Sequence, residues 1–181
     1  QVIALADKLK SEHAAIDILI NNAGVFKTSE TTTPEGLDVR FVVNTIAPYI
    51  FTKALMPLLG ATSRVLNLSS AAQAPVNLKA LQGLEQLSDM EAYAQSKLAI
   101  TSWTKSLAEQ SFENPNQVRP IYFAVNPGSL LASKMVKEGF GVAGADINIG
   151  ASILCDLAFS EDHITHSGQY FDNDAGQFNS G

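Results

Sequence analysis

Three short apolar runs govern what this chain can fold into. They are Ile16 to Ile20, Arg64 to Ser70 with Val65, Leu66 and Leu68 at its centre, and Ile121 to Val125. Each is too short for a core helix and lacks the strict alternation of a strand with one wet face. Such runs suit strands covered on both faces of a parallel sheet. Helical patterns separate them. Residues 1 to about 13 place Val2, Leu5, Ala6 and Leu9 on one face, and further helices are predicted from Pro34 to about Leu58, from Ser88 to about Phe112 and over residues 147–159. A last short strand is predicted over Gly168–Asp172. Strands alternating with helices define an α/β chain with a doubly wound parallel sheet.

Chemistry gathers where these runs end. Asn21-Asn22-Ala23-Gly24 closes the first. Asn and Gly tolerate unusual backbone angles, and the amides can tie neighbouring loops. Ser69 and Ser70 close the second and Asn126-Pro127-Gly128 the third, at the carboxyl edge where open α/β sheets bind ligands. Thr33-Pro34-Glu35 reads as a helix start, a cap residue followed by proline. Asn44 lies inside that helix among Phe41, Val42, Val43 and Ile46, so its amide must find partners if buried. Pro48 should bend the same helix.

Ser88-Asp89-Met90-Glu91 is a capping box, and the helix it opens carries Tyr93 and Lys97. Positions i and i+4 share a helix face, which sets a phenol beside an ammonium. A free phenol has a pKa of about 10, and a neighbouring cation lowers it. A tyrosine so tuned exchanges protons with an alcohol oxygen near neutral pH. Alone, the pair equally describes a surface helix with a snorkelling lysine.

Taken in chain order, Asn21-Asn22-Ala23-Gly24, Asn44, Ser69-Ser70, Tyr93 with Lys97, and Asn126-Pro127-Gly128 resemble the motifs of the short-chain dehydrogenase/reductase family. The resemblance implies a Rossmann-like fold and an NAD(P)-dependent oxidoreductase interconverting an alcohol and a carbonyl by hydride transfer. It makes Tyr93 the general acid/base. Ser70 becomes the substrate-orienting hydroxyl, with Ser69 as fallback. Lys97 lowers the tyrosine pKa and binds the nicotinamide ribose, and Asn44 holds a water in a proton relay. Asn21, Asn22, Ala23 and Gly24 stabilise the central sheet and border the cofactor, and Pro127 and Gly128 contact the nicotinamide. The helix carrying Tyr93 is expected to join two or four copies.

The connector over residues 71–88 is long, as in the retinol dehydrogenase-like and protochlorophyllide reductase-like branches, and is expected beside the substrate pocket. Residues 130–146 are expected to form a mobile lid with hinges at Gly139, Gly141 and Gly144. Its Leu130, Leu131, Met135, Val136 and Phe140 suggest an apolar carbonyl or alcohol substrate.

A dinucleotide site also needs a glycine-rich strand-to-helix turn for the pyrophosphate. Residues 1–24 contain none, and the position that separates NAD from NADP is absent, so both cofactors stay open. Residues 1–181 therefore read as a single incomplete domain, the C-terminal part of the fold with its fourth to seventh strands. An apolar edge is expected at Ile16–Ile20, and the isolated chain is not expected to bind the cofactor normally. A catalytically silent binding protein, an epimerase or dehydratase, and a double-bond reductase are the alternatives on this scaffold. The filled positions Asn44, Ser70, Tyr93 and Lys97 favour an enzyme.

A net charge of −6 without a basic cluster argues against nucleic acid. One cysteine, Cys155, rules out an internal disulfide and fits a reducing, cytoplasmic setting. No apolar run reaches the roughly 18 residues of a membrane span. His163-x-x-His166 beside Glu161 and Asp162 lacks a specified further ligand and reads as surface histidines, so no metal is expected.

Overall fold

The computed structural model describes residues 1–113 and 120–179. Helix α1 (Val2–Glu12) leads into strand β1 (Ile18–Asn21). A long helical run then comprises α2 (Val39–Phe41), a π-helical turn (Val42–Ile46), α3 (Ala47–Leu55) and a 3-10 turn (Met56–Leu58). Strand β2 (Arg64–Leu68), a short α4 (Leu78–Leu81) and the long α5 (Asp89–Glu113) follow. Then come β3 (Ile121–Asn126), α6 (Lys134–Phe140), α7 (Ile147–Phe159), a 3-10 segment (Glu161–His166), β4 (Tyr170–Asp172) and β5 (Gln177–Asn179).

The strands form one sheet in the order β1-β2-β3-β4-β5, with the first four parallel and β5 antiparallel to β4. Ile18 stands opposite Arg64, Leu66 opposite Phe123 and Val125 opposite Phe171. Successive side chains point to opposite faces, so Val65 and Tyr122 pack under α1, α3 and α5 with Ala6, Leu55 and Leu107. Leu66, Phe123 and Val125 pack on the other face with Leu157 and Ala158 of α7. Helices on both faces give the doubly wound, Rossmann-like arrangement. The carboxyl ends of β1, β2 and β3 all open on the same edge.

Several expectations shift. The first strand begins at Ile18; before it, the chain bends at Asp17, with the Ile16 N–H donating to Leu58 and the Asp17 carbonyl accepting from Arg64. The helix expected from Pro34 begins at Val39. Gly36 donates its N–H to the Thr33 carbonyl at 2.9 Å, closing a turn with proline second and glycine last. Asp38 is the true cap, its carboxylate accepting from the Arg40 N–H at 2.8 Å. The run Val39–Leu58 is long and apolar enough to cross a membrane by length and composition, which the count of contiguous apolar residues overlooks. Here Phe41, Leu55 and Leu58 pack it into the core. The capping box forms as read: Glu91 accepts from the Ser88 N–H at 3.0 Å and the Ser88 hydroxyl at 2.6 Å.

The connector touches the pocket mainly through Ala72, and its Gly83 abuts Gly36 in the turn beside α2. The lid contains α6, capped by Ser133 and ended by Gly141 in the left-handed region. Gly139 lies inside that helix and is no hinge. Strand β5 escaped the sequence reading because three residues with one large apolar side chain, Phe178, carry little periodic signal. His163 contacts Asp156 at 2.7 Å, and His166 stacks on Phe178.

Candidate active site

Helix α5 is the frame of the site. Its first residue, Asp89, pairs with the buried Arg40, which also binds both carboxylate oxygens of Asp38 at 2.7 and 2.6 Å. The start of α5 is thereby fixed to the start of α2. Two turns on, Ser96 ties α5 to the π-helical turn: its carbonyl accepts from Thr45, and its hydroxyl accepts from the Asn44 amide at 2.9 Å. These ties hold the face that presents Tyr93 and Lys97.

Asn44 is buried and fully engaged. Its Oδ1 accepts from the Val25 N–H at 2.8 Å, and its Nδ2 also donates to the Val25 carbonyl at 2.9 Å. The π-helical turn around it leaves its backbone carbonyl without the usual α-helical partner, because Pro48, four residues on, has no N–H. Such turns cluster at functional sites.

Both serines border the cavity, but their hydroxyls differ. The Ser69 hydroxyl turns inward to the Lys97 carbonyl and Thr101 at 2.9 and 2.8 Å. Ser70 faces the cavity and hydrogen-bonds the Tyr93 phenol. Asn21 takes the sheet-stabilising part of its expected role. Its amide donates to Thr52 at 3.0 Å and Asn67 at 2.7 Å, so it ties β1 to β2 and α3 and does not line the main cavity. Asn22, Ala23 and Gly24 do line it, as do Pro127 and Gly128.

The electrostatics correct one expectation. Burial raises the Tyr93 pKa above its ordinary value, and the Ser70 hydrogen bond only partly opposes this. Lys97 does not reverse the shift. Its ammonium is itself buried, lies 5.5 Å from the centre of the Tyr93 ring and donates to the Leu68 carbonyl at 2.7 Å. Burial pulls its own pKa down to about 8.

The cavity has a volume of about 810 Å³. Asn22 to Gly24 and Lys97 lie on one side, and Leu130, Leu131, Met135, Val136 and Phe140 close the other. A Cβ placed on Gly24 would stand 3.5 Å from both Asn44 Oδ1 and Lys97 Nζ. Gly128 has φ +129, and a Cβ there would meet Leu131 at 3.4 Å. Glycine at these points leaves backbone open to a ligand beside a lysine, a donor set that fits a ribose and its attached ring.

Three contributors were missed by sequence reading. Arg40 was overlooked although Asp38 stands two residues away, and Ser96 although it separates Tyr93 from Lys97. Phe26 passed unnoticed as the one aromatic in an otherwise polar loop. It is buried and meets the Tyr93 ring edge-on at 5.2 Å.

A parallel sheet with its polar side chains at the carboxyl ends of the strands is the arrangement of ligand-binding open α/β proteins. Residues 1–141 match the short chain dehydrogenase family. The chain belongs to the short-chain dehydrogenase/reductase family, in its retinol dehydrogenase-like branch. It is 31% identical to Retinol dehydrogenase 13 of Homo sapiens over 92% of this chain and 55% of that protein. It is 30% identical to Retinol dehydrogenase 12 of Mus musculus over 93% of this chain and 56% of that protein. The chain thus spans about half the length of the curated relatives it matches. The NADPH-bound carbonyl reductase from chicken fatty liver shares the fold, with a TM-score of 0.60 and 22% identity over 99% of this chain and 72% of that one.

Proposed function

We propose that this chain forms the substrate and nicotinamide half of an NAD(P)-dependent oxidoreductase that interconverts an apolar alcohol and carbonyl. The observation that carries this reading is the joint exposure of Ser70, Tyr93 and Lys97 to one apolar cavity at the carboxyl edge of the sheet. Asn22, Ala23, Gly24, Lys97, Pro127 and Gly128 would hold the cofactor, which supplies or accepts the hydride when bound.

The residues of the chain do the rest. Ser70 and Tyr93 hold the substrate oxygen between two hydroxyls. In reduction Tyr93 gives its phenolic proton to that oxygen, and in oxidation it takes it back. Burial raises the phenol pKa, so in the free chain the proton that reduction needs is in place at neutral pH. Asn44 orders the loop at Val25 and, through its carbonyl, offers a water a site between Lys97 and solvent. The apolar lining selects a hydrophobic substrate, consistent with relatives named for retinol.

The pyrophosphate end needs a glycine-rich turn, which would lie beyond the open edge of β1. A nicotinamide cofactor is expected, with NAD and NADP equally compatible with the residues above.

Tyr93→Phe in the full-length protein should lower turnover by about a hundred- to ten-thousandfold, as loss of a general acid does. Cofactor affinity, read by nicotinamide fluorescence, should change little. Retained turnover would reject the role given to Tyr93.

A further inference from the structure

We propose that Phe26 is a positioning residue that couples closure of α6 over the cavity to the alignment and desolvation of the Tyr93 phenol. The proposal rests on the reading of Tyr93 as proton donor. The Phe26 ring is buried between two others. It stacks on Phe140 of α6, with centroids 5.3 Å apart and planes 18° apart, and meets Tyr93 edge-on at 5.2 Å and 61°. Both geometries are favourable for aromatic pairs.

The backbone is shaped to allow this contact. Gly139 lies in α6 one residue before Phe140, and a Cβ there would come within 2.7 Å of the Phe26 ring. The close approach of helix to ring therefore requires glycine at that position. Helix α6 is short and Gly141 ends it in the left-handed region; Val136, the Phe26 stack and Met135 beside Gly24 seat it. Three rings in a row thus connect a loop after β1, the lid helix and the proton donor.

With α6 seated, Phe26 and Phe140 exclude water from one side of the phenol. Without the Phe26 ring, α6 loses its stacking partner, and Tyr93 loses both an aromatic wall and its shield. The same ring holds the lid and fixes the donor, so the phenol takes its working geometry only when the lid is seated.

The test uses two independent readouts on the full-length protein. Lys134 and Lys137 lie exposed on α6, and trypsin cleavage there, followed by mass spectrometry, reports lid opening. Phe26→Ala and Phe140→Ala should each speed that cleavage by about tenfold, the scale of one lost aromatic pair. Gly139→Ala should do the same by pushing the helix off the ring. The second readout is the pH profile of carbonyl reduction. Its alkaline limb, where the phenol ionises, should move to lower pH in Phe26→Ala, because a hydrated phenol ionises more easily. A merely structural role would lower the profile without moving the limb.

Unchanged cleavage in both Phe26→Ala and Phe140→Ala would overturn the proposal, as would an unmoved limb. Phe140 is half-exposed, so its truncation leaves the core intact and keeps the test decisive if Phe26→Ala misfolds. Failure of the underlying reading looks different: Tyr93→Phe would keep its turnover while the cleavage rates still responded.

Discussion

Lys97 holds a charge where charge is disfavoured. Its pKa falls from 10.5 to about 8 on burial. Between those values the unfolded chain keeps a proton that the folded chain has released, so stability rises with pH from about 8 upward. Tyr93 and Tyr170 act in the opposite sense. Burial raises both, and for Tyr170 the charge of Asp172 adds to it, reaching about 12. Above roughly pH 10 the unfolded chain loses phenolic protons that the fold retains, and stability falls. Urea denaturation should therefore show stability rising from about pH 8 to a maximum near pH 10. Lys97→Met should abolish the rising limb, and Tyr170→Phe should flatten the falling one. A monotonic decline from pH 7 in the unaltered chain would contradict the buried ammonium. The spacing of Tyr93 and Lys97 was legible because it is local. The turn of the ammonium toward Leu68 was not, because its partner comes from another strand and the helix pattern carries no trace of it.

At the scale of elements, the orientation of α5 depends on how its start is held. Arg40 is buried and bridges Asp38, the cap of α2, to Asp89, the first residue of α5. Removing the cation leaves Asp38 partly buried with only its backbone cap bond to the Arg40 N–H, whereas Asp89 can turn to solvent. Arg40→Met should cost about 2–4 kcal/mol in denaturant unfolding, near the low end for breaking a buried pair. Adding Asp38→Asn should return part of that loss. Amide exchange over residues 89–93 should quicken in the single variant, and unchanged exchange there would show that α5 is held elsewhere. The capping box at Ser88 and Glu91 could be read directly, since both partners lie within one turn. The helix start at Val39 could not. Proline followed by glutamate fits a first helical turn as well as a tight turn, and only the Gly36 bond to Thr33 decides between them. Asn44 was legible as a buried amide needing partners, but its partners Val25 and Ser96 come from a loop and a second helix.

For the molecule as a whole, the parallel sheet was legible because its strands read as continuous apolar runs, and β5 was hidden because it is a three-residue return. The exposed edge at β1 was foreseen from the same logic. Ile20 is 42% exposed, and Leu5 of α1, about half exposed, lies on the same side. Between them lies a groove of about 300 Å³ lined by Val2, Leu5, Ile20, Phe51 and Pro48. A parallel strand with an open apolar edge is a template for pairing with other chains. The 181-residue chain should accordingly self-associate as its concentration rises, seen by light scattering. Ile20→Lys with Leu5→Glu should suppress this while leaving the far-ultraviolet circular dichroism unchanged, since neither side chain belongs to the core. If the same face instead receives the pyrophosphate-binding half in the full-length protein, the double variant should weaken cofactor affinity there. Improved solubility of the short chain together with lost cofactor binding in the long one would mark this edge as an internal contact. Improved solubility with unchanged cofactor binding would leave it a surface that only associates, and would place any pyrophosphate-binding segment elsewhere.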